Sequence, residues 1–346
     1  MDNLTLPKRG MPVTIITGFL GSGKTTLLNN ILTNNQDLKV AIIVNEFGDI
    51  DIDSKLLVSV EENMLSLSNG CICCTINDDL LNTVFQVLES KQKVDYLIVE
   101  TTGVADPLPI VLTFVSPELK DFVRLDSVLT LIDSENFTPE HFESEAALQQ
   151  VIYGDILIMN KVDLVPASKV EELEKQICEI KTGAKILRSE YGKIPLPLIL
   201  DIDSHNSSSY DVNQEKEHHH HEHHEHSHSH DHDHEHHDHN HDHDHSHHLE
   251  IDGFVSVSFE SDRPFNVAKF QNFITDEVMD QVYRAKGILW FAESKLKHIF
   301  QLSGRRYDID TEKWQETDVK QSQFVMIGKN IDGEKLRSKL RECIAN

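Results

Sequence analysis

Val13-Thr14-Ile15-Ile16-Thr17-Gly18-Phe19-Leu20-Gly21-Ser22-Gly23-Lys24-Thr25-Thr26 is a β-branched run, a glycine-rich turn and the start of an amphipathic segment. Strand, loop and helix start follow in the order a P-loop needs, and Gly18 to Thr25 satisfies G-x-x-x-x-G-K-[ST] in full. The glycines let backbone N–H groups turn inward around a phosphate chain. The N-terminus of the helix that follows adds its dipole. On this reading Gly18, Gly21, Ser22, Gly23, Lys24, Thr25 and Thr26 bind a nucleotide, Lys24 reaches its outer phosphates, and the Thr25 hydroxyl ligates Mg²⁺.

Working outward, the apolar run Val40–Val44 reads as a parallel strand covered on both faces. It leads into Asn45-Glu46-Phe47-Gly48-Asp49, whose acids fall where open α/β sheets bind ligands. Met64–Leu67 is a third short strand, followed by Asn69-Gly70-Cys71-Ile72-Cys73-Cys74. Three thiols on one tight loop suit Zn²⁺, with Cu(I) also possible. Cys71 and Cys73 are spaced to face one ion, while Cys74 joins them or points elsewhere. A closed tetrahedral site wants four ligands. The loop therefore takes a partner such as Glu46 or Asp49, or keeps an open position for transfer. The spacing predicts a helix over 77–90.

Asp95–Val99 is an apolar strand ending at Glu100-Thr101-Thr102-Gly103. Behind a P-loop, Glu100 is placed to orient water or support the metal's hydration, and Gly103 to donate its N–H to the terminal phosphate. After strand 127–132 and its Asp133, the buried run 155–159 enters Asn160-Lys161-Val162-Asp163. Asn-Lys-x-Asp in this place is a guanine-reading motif. A carboxylate at Asp163 accepts from guanine N1–H and the exocyclic amine, Lys161 covers the base, and Asn160 braces the loop. Helix 167–181 follows with Val170, Leu173, Ile177 and Ile180 as its apolar stripe, and Cys178 is expected to pack inside.

The chain has 346 residues, 32 basic against 58 acidic, and five cysteines. That length accommodates two domains. The acidic balance disfavours a nucleic-acid surface. No stretch approaches a membrane span, and Met1-Asp2-Asn3-Leu4 does not read as a secretory signal. Three cysteines within four residues do not form a disulfide framework; they read as a metal or redox site in a reducing, cytoplasmic compartment.

Composition breaks near Asp201. His218–His248 is almost entirely His, Asp, Glu and Ser, so it cannot bury a core and is expected to be disordered without metal. Its donors suit Zn²⁺, Ni²⁺ or Co²⁺. Order restarts at Gly253 with the alternating strand 254–259, a helix over 266–283, strands over 287–292, 299–302 and 324–327, and a closing helix from Gly333. In this small α+β unit His298, Arg305 and Arg306 read as solvated surface, and Trp290 and Phe291 as core. The expected organisation is a P-loop domain with a mostly parallel, doubly wound sheet over 11–200. A His-rich linker over 201–250 and an α+β domain over 251–346 follow.

These motifs taken together, with the His-rich linker and the segment Arg284-Ala285-Lys286-Gly287, resemble the CobW family of metal-chaperone GTPases over essentially the whole chain. The Cys-x-Cys-Cys loop inside a P-loop domain is its most specific mark. The resemblance implies GTP hydrolysis, Zn²⁺ or a similar ion at Cys71, Cys73 and Cys74, and delivery of that ion to a client metalloprotein. It also leaves open cobalt or iron clients of the cobalamin or nitrile hydratase type. A zinc store with residual hydrolysis is the alternative from another class.

Overall fold

The computed structural model describes residues 10–34, 38–45, 64–69, 76–90, 94–138, 141, 144–201, 253–316 and 318–345. Glu46, Asp49, Cys71, Cys73, Cys74 and the His-rich segment 218–248 lie outside these described residues.

The first unit is a seven-stranded sheet with every neighbouring pair parallel. Its strands are β1 (Met11–Gly18), β2 (Val40–Asn45), β3 (Met64–Asn69), β4 (Tyr96–Glu100), β5 (Val123–Asp133), β6 (Ile156–Asn160) and β7 (Ile186–Arg188), in the order β3-β2-β4-β1-β5-β6-β7. The central strands β1, β4 and β6 are buried along their whole length. Their near-continuous apolar runs are what a sheet covered on both faces requires. One face packs on α1 (Lys24–Asn34) through Leu27, Leu28, Ile31 and Leu32. The other packs on α2 (Ile76–Leu88) and α3 (Leu108–Phe114) beside β1, β2 and β4. Further along the same face lie α4 (Glu145–Tyr153) and α5 (Ala167–Ile180), against β5 and β6. A short helix α6 (Leu196–Ile199) closes the first face. On α5 the buried stripe is Val170, Leu173 and Ile177. Ile180 is 37% exposed and Cys178 is an exposed free thiol, contrary to the expectation that both pack inside. Cys178 follows Ile177 by about 100° of helix, which carries it off the apolar stripe.

The second unit is a five-stranded antiparallel sheet in the order β11-β10-β9-β12-β8. Its strands are β8 (Phe254–Ser261), β9 (Val282–Trp290), β10 (Leu296–Ser303), β11 (Arg306–Lys313) and β12 (Ser322–Lys329). Helices α7 (Val267–Ile274) and α8 (Gly333–Glu342) cover one face, around a cluster of phenylalanines centred on Phe270. The expected helix 266–283 stops at Ile274. The Thr275 hydroxyl takes the carbonyls of Gln271 and Asn272, and the backbone then enters a 3₁₀ turn and strand β9. Met279 and Val282 enter the same core as α7, so their helix-like spacing misled the periodicity argument. Strand β11 was not foreseen, because most of it is exposed and polar.

The two units meet on buried charge. Asp126 is the extra residue of a β-bulge: Val13 pairs with Leu125, and Thr14 pairs with Ser127. The bulge frees the Asp126 carboxylate to receive Arg284 at 2.8 and 3.0 Å. The same carboxylate accepts the Tyr96 hydroxyl at 2.6 Å and the Asp201 N–H at 3.1 Å. Asp201 in turn meets Arg124, Lys286 at 2.9 Å and Gln301 at 3.1 Å. Burial opposes its ionisation, but Arg124 and Lys286 outweigh that and hold its carboxyl well below the usual range. Arg305 donates to the Thr182 carbonyl, and Arg306 grips Asp155 and the carbonyls of Leu125 and Asp126. Arg306 is therefore a half-buried strut between the units, not the solvated surface expected of it, while Arg305 is exposed as expected and still reaches across to Thr182. Gly304, at φ 61°, leaves no room for a Cβ against the Asp155 backbone.

Candidate nucleotide site

Six of the seven parallel strands end in Gly18, Asn45, Asn69, Glu100, Asp133 and Asn160. In an open α/β sheet that carboxyl edge is where ligands bind. The P-loop turns on glycines in conformations that side chains resist: Gly18 at φ 138°, Gly21 at 74° and Gly23 at 99°. A Cβ on Gly18 would strike the Leu131 backbone, and one on Gly23 would strike the Asn160 side chain. Lys24 folds back over the loop, its Nζ donating to Gly18 O at 3.0 Å and Phe19 O at 3.4 Å. Thr25 Oγ1 donates to Glu100 Oε1 at 3.3 Å, so the helix start and the end of β4 converge. Gly103 lies against Leu20, with no space for a side chain between the two loops.

Asn160 bridges two loops. Its Nδ2 donates to Ser22 O at 2.9 Å, and its Oδ1 accepts Gly192 N–H at 2.9 Å. Lys161 adopts a left-handed backbone, φ 62°, with its Nζ 2.7 Å from Asp133. Burial works against the Asp133 charge, but Lys161, Asn136 and two backbone N–H groups outweigh it and lower its pKa. Asp163 sits exposed in the 3₁₀ turn Val162–Leu164 that follows. Phe19 meets His141 edge-on at 4.8 Å, and Phe137 stacks on the same ring at 5.0 Å.

The structure thus brings together Gly18, Gly21, Ser22, Gly23, Lys24, Thr25, Glu100, Gly103 and Asn160, with Lys161 and Asp163 on the adjoining turn. Thr26 lies on α1. Two features escaped the sequence reading. One is the loop Ser189–Gly192, which closes over Asn160 and α1: the Tyr191 carbonyl accepts from Asn30 Nδ2 at 2.7 Å. Tyr191 and Gly192 both have positive φ, and only the Tyr-Gly pair hints at it. The other is Gln150, buried on α4, which carries no motif.

A P-loop sheet with an Asn-Lys-x-Asp turn at the same edge, joined to an antiparallel sheet, defines a two-part nucleotide-binding protein. The chain belongs to the CobW/HypB/UreG family: the model of that family's nucleotide-binding domain matches residues 12–188, and the model of the cobalamin synthesis protein CobW C-terminal domain matches residues 254–344. The zinc chaperone YjiA of Escherichia coli strain K12 is 28% identical over 337 residues, 94% of this chain and 96% of that protein. The zinc-regulated GTPase metalloprotein activator 1 of Schizosaccharomyces pombe is 38% identical over 192 residues, 53% of this chain. The alignment spans 47% of that activator, so the match reaches about half its length. The solved Zn(II)-bound YjiA GTPase from E. coli aligns over 97% of this chain and 99% of its own, at 25% identity and a TM-score of 0.45. Among the described residues no helix is long and apolar enough to cross a membrane.

Proposed function

We propose that this chain binds and hydrolyses GTP, and uses that cycle to hold zinc at Cys71, Cys73 and Cys74 and pass it to a client metalloprotein. The observation that carries the nucleotide half is the Asn160 bridge. By bonding Ser22 O it ties the Asn-Lys-x-Asp turn to the phosphate loop at 2.9 Å, the arrangement a guanine nucleotide needs to be read at base and phosphate together. Asp163 then accepts from guanine, and Lys24 exchanges the carbonyls of Gly18 and Phe19 for phosphate oxygens.

The pairing of Thr25 Oγ1 with the Glu100 carboxylate is a hard-oxygen donor set that fits Mg²⁺. When bound, Mg²⁺ supplies charge stabilisation to the transferring phosphoryl group. Glu100 is 2% exposed and on this reading orients the attacking water. Gly103 offers its N–H to the terminal phosphate.

For the metal half, support comes from the family and from the names of its relatives, two of which are zinc chaperones or zinc-regulated activators. Strands β2 and β3 end at Asn45 and Asn69 on the nucleotide edge, so the chain leaves that edge toward Glu46 and Asp49, and toward the three cysteines. Zinc is the cargo here and GTP the timer. Zinc affinity, read by competition with a chelating dye, is expected to differ about 5–150-fold between the GDP and non-hydrolysable-GTP states. Cys73→Ala should remove both the tight site and its nucleotide dependence while GTP still binds. Equal zinc affinities in the two nucleotide states would reduce the protein to a GTPase and a metal site without a switch.

A further inference from the structure

Gln150 is a polar side chain, 2% exposed, on a helix that carries none of the nucleotide motifs. Its Nε2 donates to two carbonyls, Gly103 O at 3.2 Å and Ala105 O at 3.0 Å. A side-chain amide nitrogen has two N–H groups, so both are used. The main-chain carbonyl of Gln150 accepts the Thr130 hydroxyl at 2.6 Å. The residue is therefore fixed to β5 at one end and to the loop after β4 at the other. Helix α4 also backs the P-loop, because Phe19 leans on the cluster that contains Ala147 and Val151. The loop itself is tight: Ala105 N–H returns to Thr102 O at 3.2 Å, and Gly103 abuts the Leu20 backbone. Residues 102–105 are wedged between the phosphate loop and the Gln150 amide.

We propose that Gln150 is a positioning residue that sets where the Gly103 loop stands relative to the terminal phosphate, and how far it travels between the triphosphate and diphosphate states. The proposal rests on the assignment of the Gly103 N–H to that phosphate. Gln150 touches no part of the nucleotide in this scheme. Its two hydrogen bonds to the loop are the elastic element that GTP must work against or with. A purely structural Gln150 would weaken the fold and all nucleotide binding together. A positioning Gln150 acts on the chemical step and on the difference between triphosphate and diphosphate binding, and leaves the affinity for GDP through the P-loop and Asp163 alone.

The test uses the full chain and Gln150→Met, which keeps the volume and removes both donors. Gln150→Asn, too short to reach both carbonyls, serves if the first variant does not fold. Hydrogen–deuterium exchange of the peptide covering 101–106 is measured with GDP and with a non-hydrolysable GTP analogue, beside kcat, KM and the affinity for each nucleotide. Exchange in 101–106 should rise several-fold and kcat should fall roughly ten-fold, the scale of losing two neutral hydrogen bonds. GDP affinity should stay within about two-fold, while the affinity for the analogue, whose terminal phosphate meets the loop, should shift relative to it. Unchanged exchange in that peptide would overturn the proposal, and so would a parallel loss of affinity for both nucleotides. If the unaltered protein hydrolyses no GTP, the functional reading above falls, yet the exchange comparison still decides whether Gln150 holds the loop.

Discussion

Arg284 is the strut whose removal is most informative. It is 8% exposed and pairs with Asp126 through two hydrogen bonds, with Ser303 completing its contacts at 3.1 Å. In Arg284→Met the apolar stem survives and Asp126 loses its cation. Removing one partner of a buried pair costs about 3–5 kcal/mol, mostly because the remaining charge stays buried. Asp126 keeps the Tyr96 hydroxyl and the Asp201 N–H, which places the cost near the lower bound, about 3 kcal/mol. Burial and the Asp126 carboxylate both push the Tyr96 phenol upward, so it remains a donor there across the working pH range. At roughly 2–4 °C per kcal/mol for a chain of this size class, Tm should fall by about 6–12 °C. Asp126→Asn in the Arg284→Met background removes the stranded charge and should recover part of the loss, a coupling of roughly 1–3 kcal/mol. The protein has two tryptophans, Trp290 and Trp314, both in the second unit. Their fluorescence reports that unit, while far-UV circular dichroism reports the whole chain. The two transitions should coincide in the unaltered protein and separate in Arg284→Met, the second unit melting first. A loss under 1 kcal/mol, or additive effects in the double variant, would refute the claim that this pair joins the units.

Asp163→Asn should shift nucleotide preference from GTP toward xanthine nucleotides, and the unaltered protein should favour GTP over ATP by roughly 10⁴-fold or more in a binding titration. Asn160→Ala unties the base-reading turn from Ser22 and should weaken GTP and GDP alike, by about 1–3 kcal/mol measured calorimetrically. Lys185 donates to the carbonyls of Met279 and Asp280, and burial pushes its ammonium down to about 8, with Asp280 opposing and Arg305 adding to the shift. Its folded pKa lies below the unfolded value of about 10.4, so the unfolded chain binds more protons between them, and stability should rise with pH from about 8 to about 10.4. Urea titrations across that range should show the rise, and Lys185→Met should flatten it. Deleting His218–His248 should leave Tm and basal hydrolysis nearly unchanged and lower the number of zinc ions bound at saturation, counted by metal analysis after dialysis.

The parallel sheet was legible because a strand buried on both faces must be apolar throughout, and β1, β4 and β6 announce themselves that way. The P-loop and the Asn160 turn were legible because backbone geometry admits few residues there: glycine where φ is positive, and an amide where two loops must be bridged. What stayed hidden was held by contacts between segments distant in sequence. Arg306 read as ordinary surface charge until Asp155 and the carbonyls of Leu125 and Asp126 were brought against it. The Asp126 bulge needs the register of β1 against β5 to be seen at all. Gln150 was silent for the same reason, since its partners lie 45 and 47 residues away.

The placement of the two sets of contacts along the same strands bears on how the second unit can act. Thr14, Tyr96 and Asp126, which surround the Arg284 strut, lie toward the amino ends of β1, β4 and β5. Gly18, Glu100 and Asp133, which face the nucleotide edge, are the last residues of those three strands. At about 3.3 Å per residue, Thr14 and Gly18 are roughly 13 Å apart along β1. The strut residues of the second unit therefore grip the back of the strands whose ends carry the phosphate loop, the Glu100 carboxylate and the Lys161 clamp. These strands are one route between the two sets of contacts; Arg305 at Thr182, Arg306 at Asp155 and Lys185 at Met279 are others. The second unit thus holds the sheet on the side away from its nucleotide edge, while the Gly103 loop, tethered by Gln150, is on our proposal the element that answers the terminal phosphate.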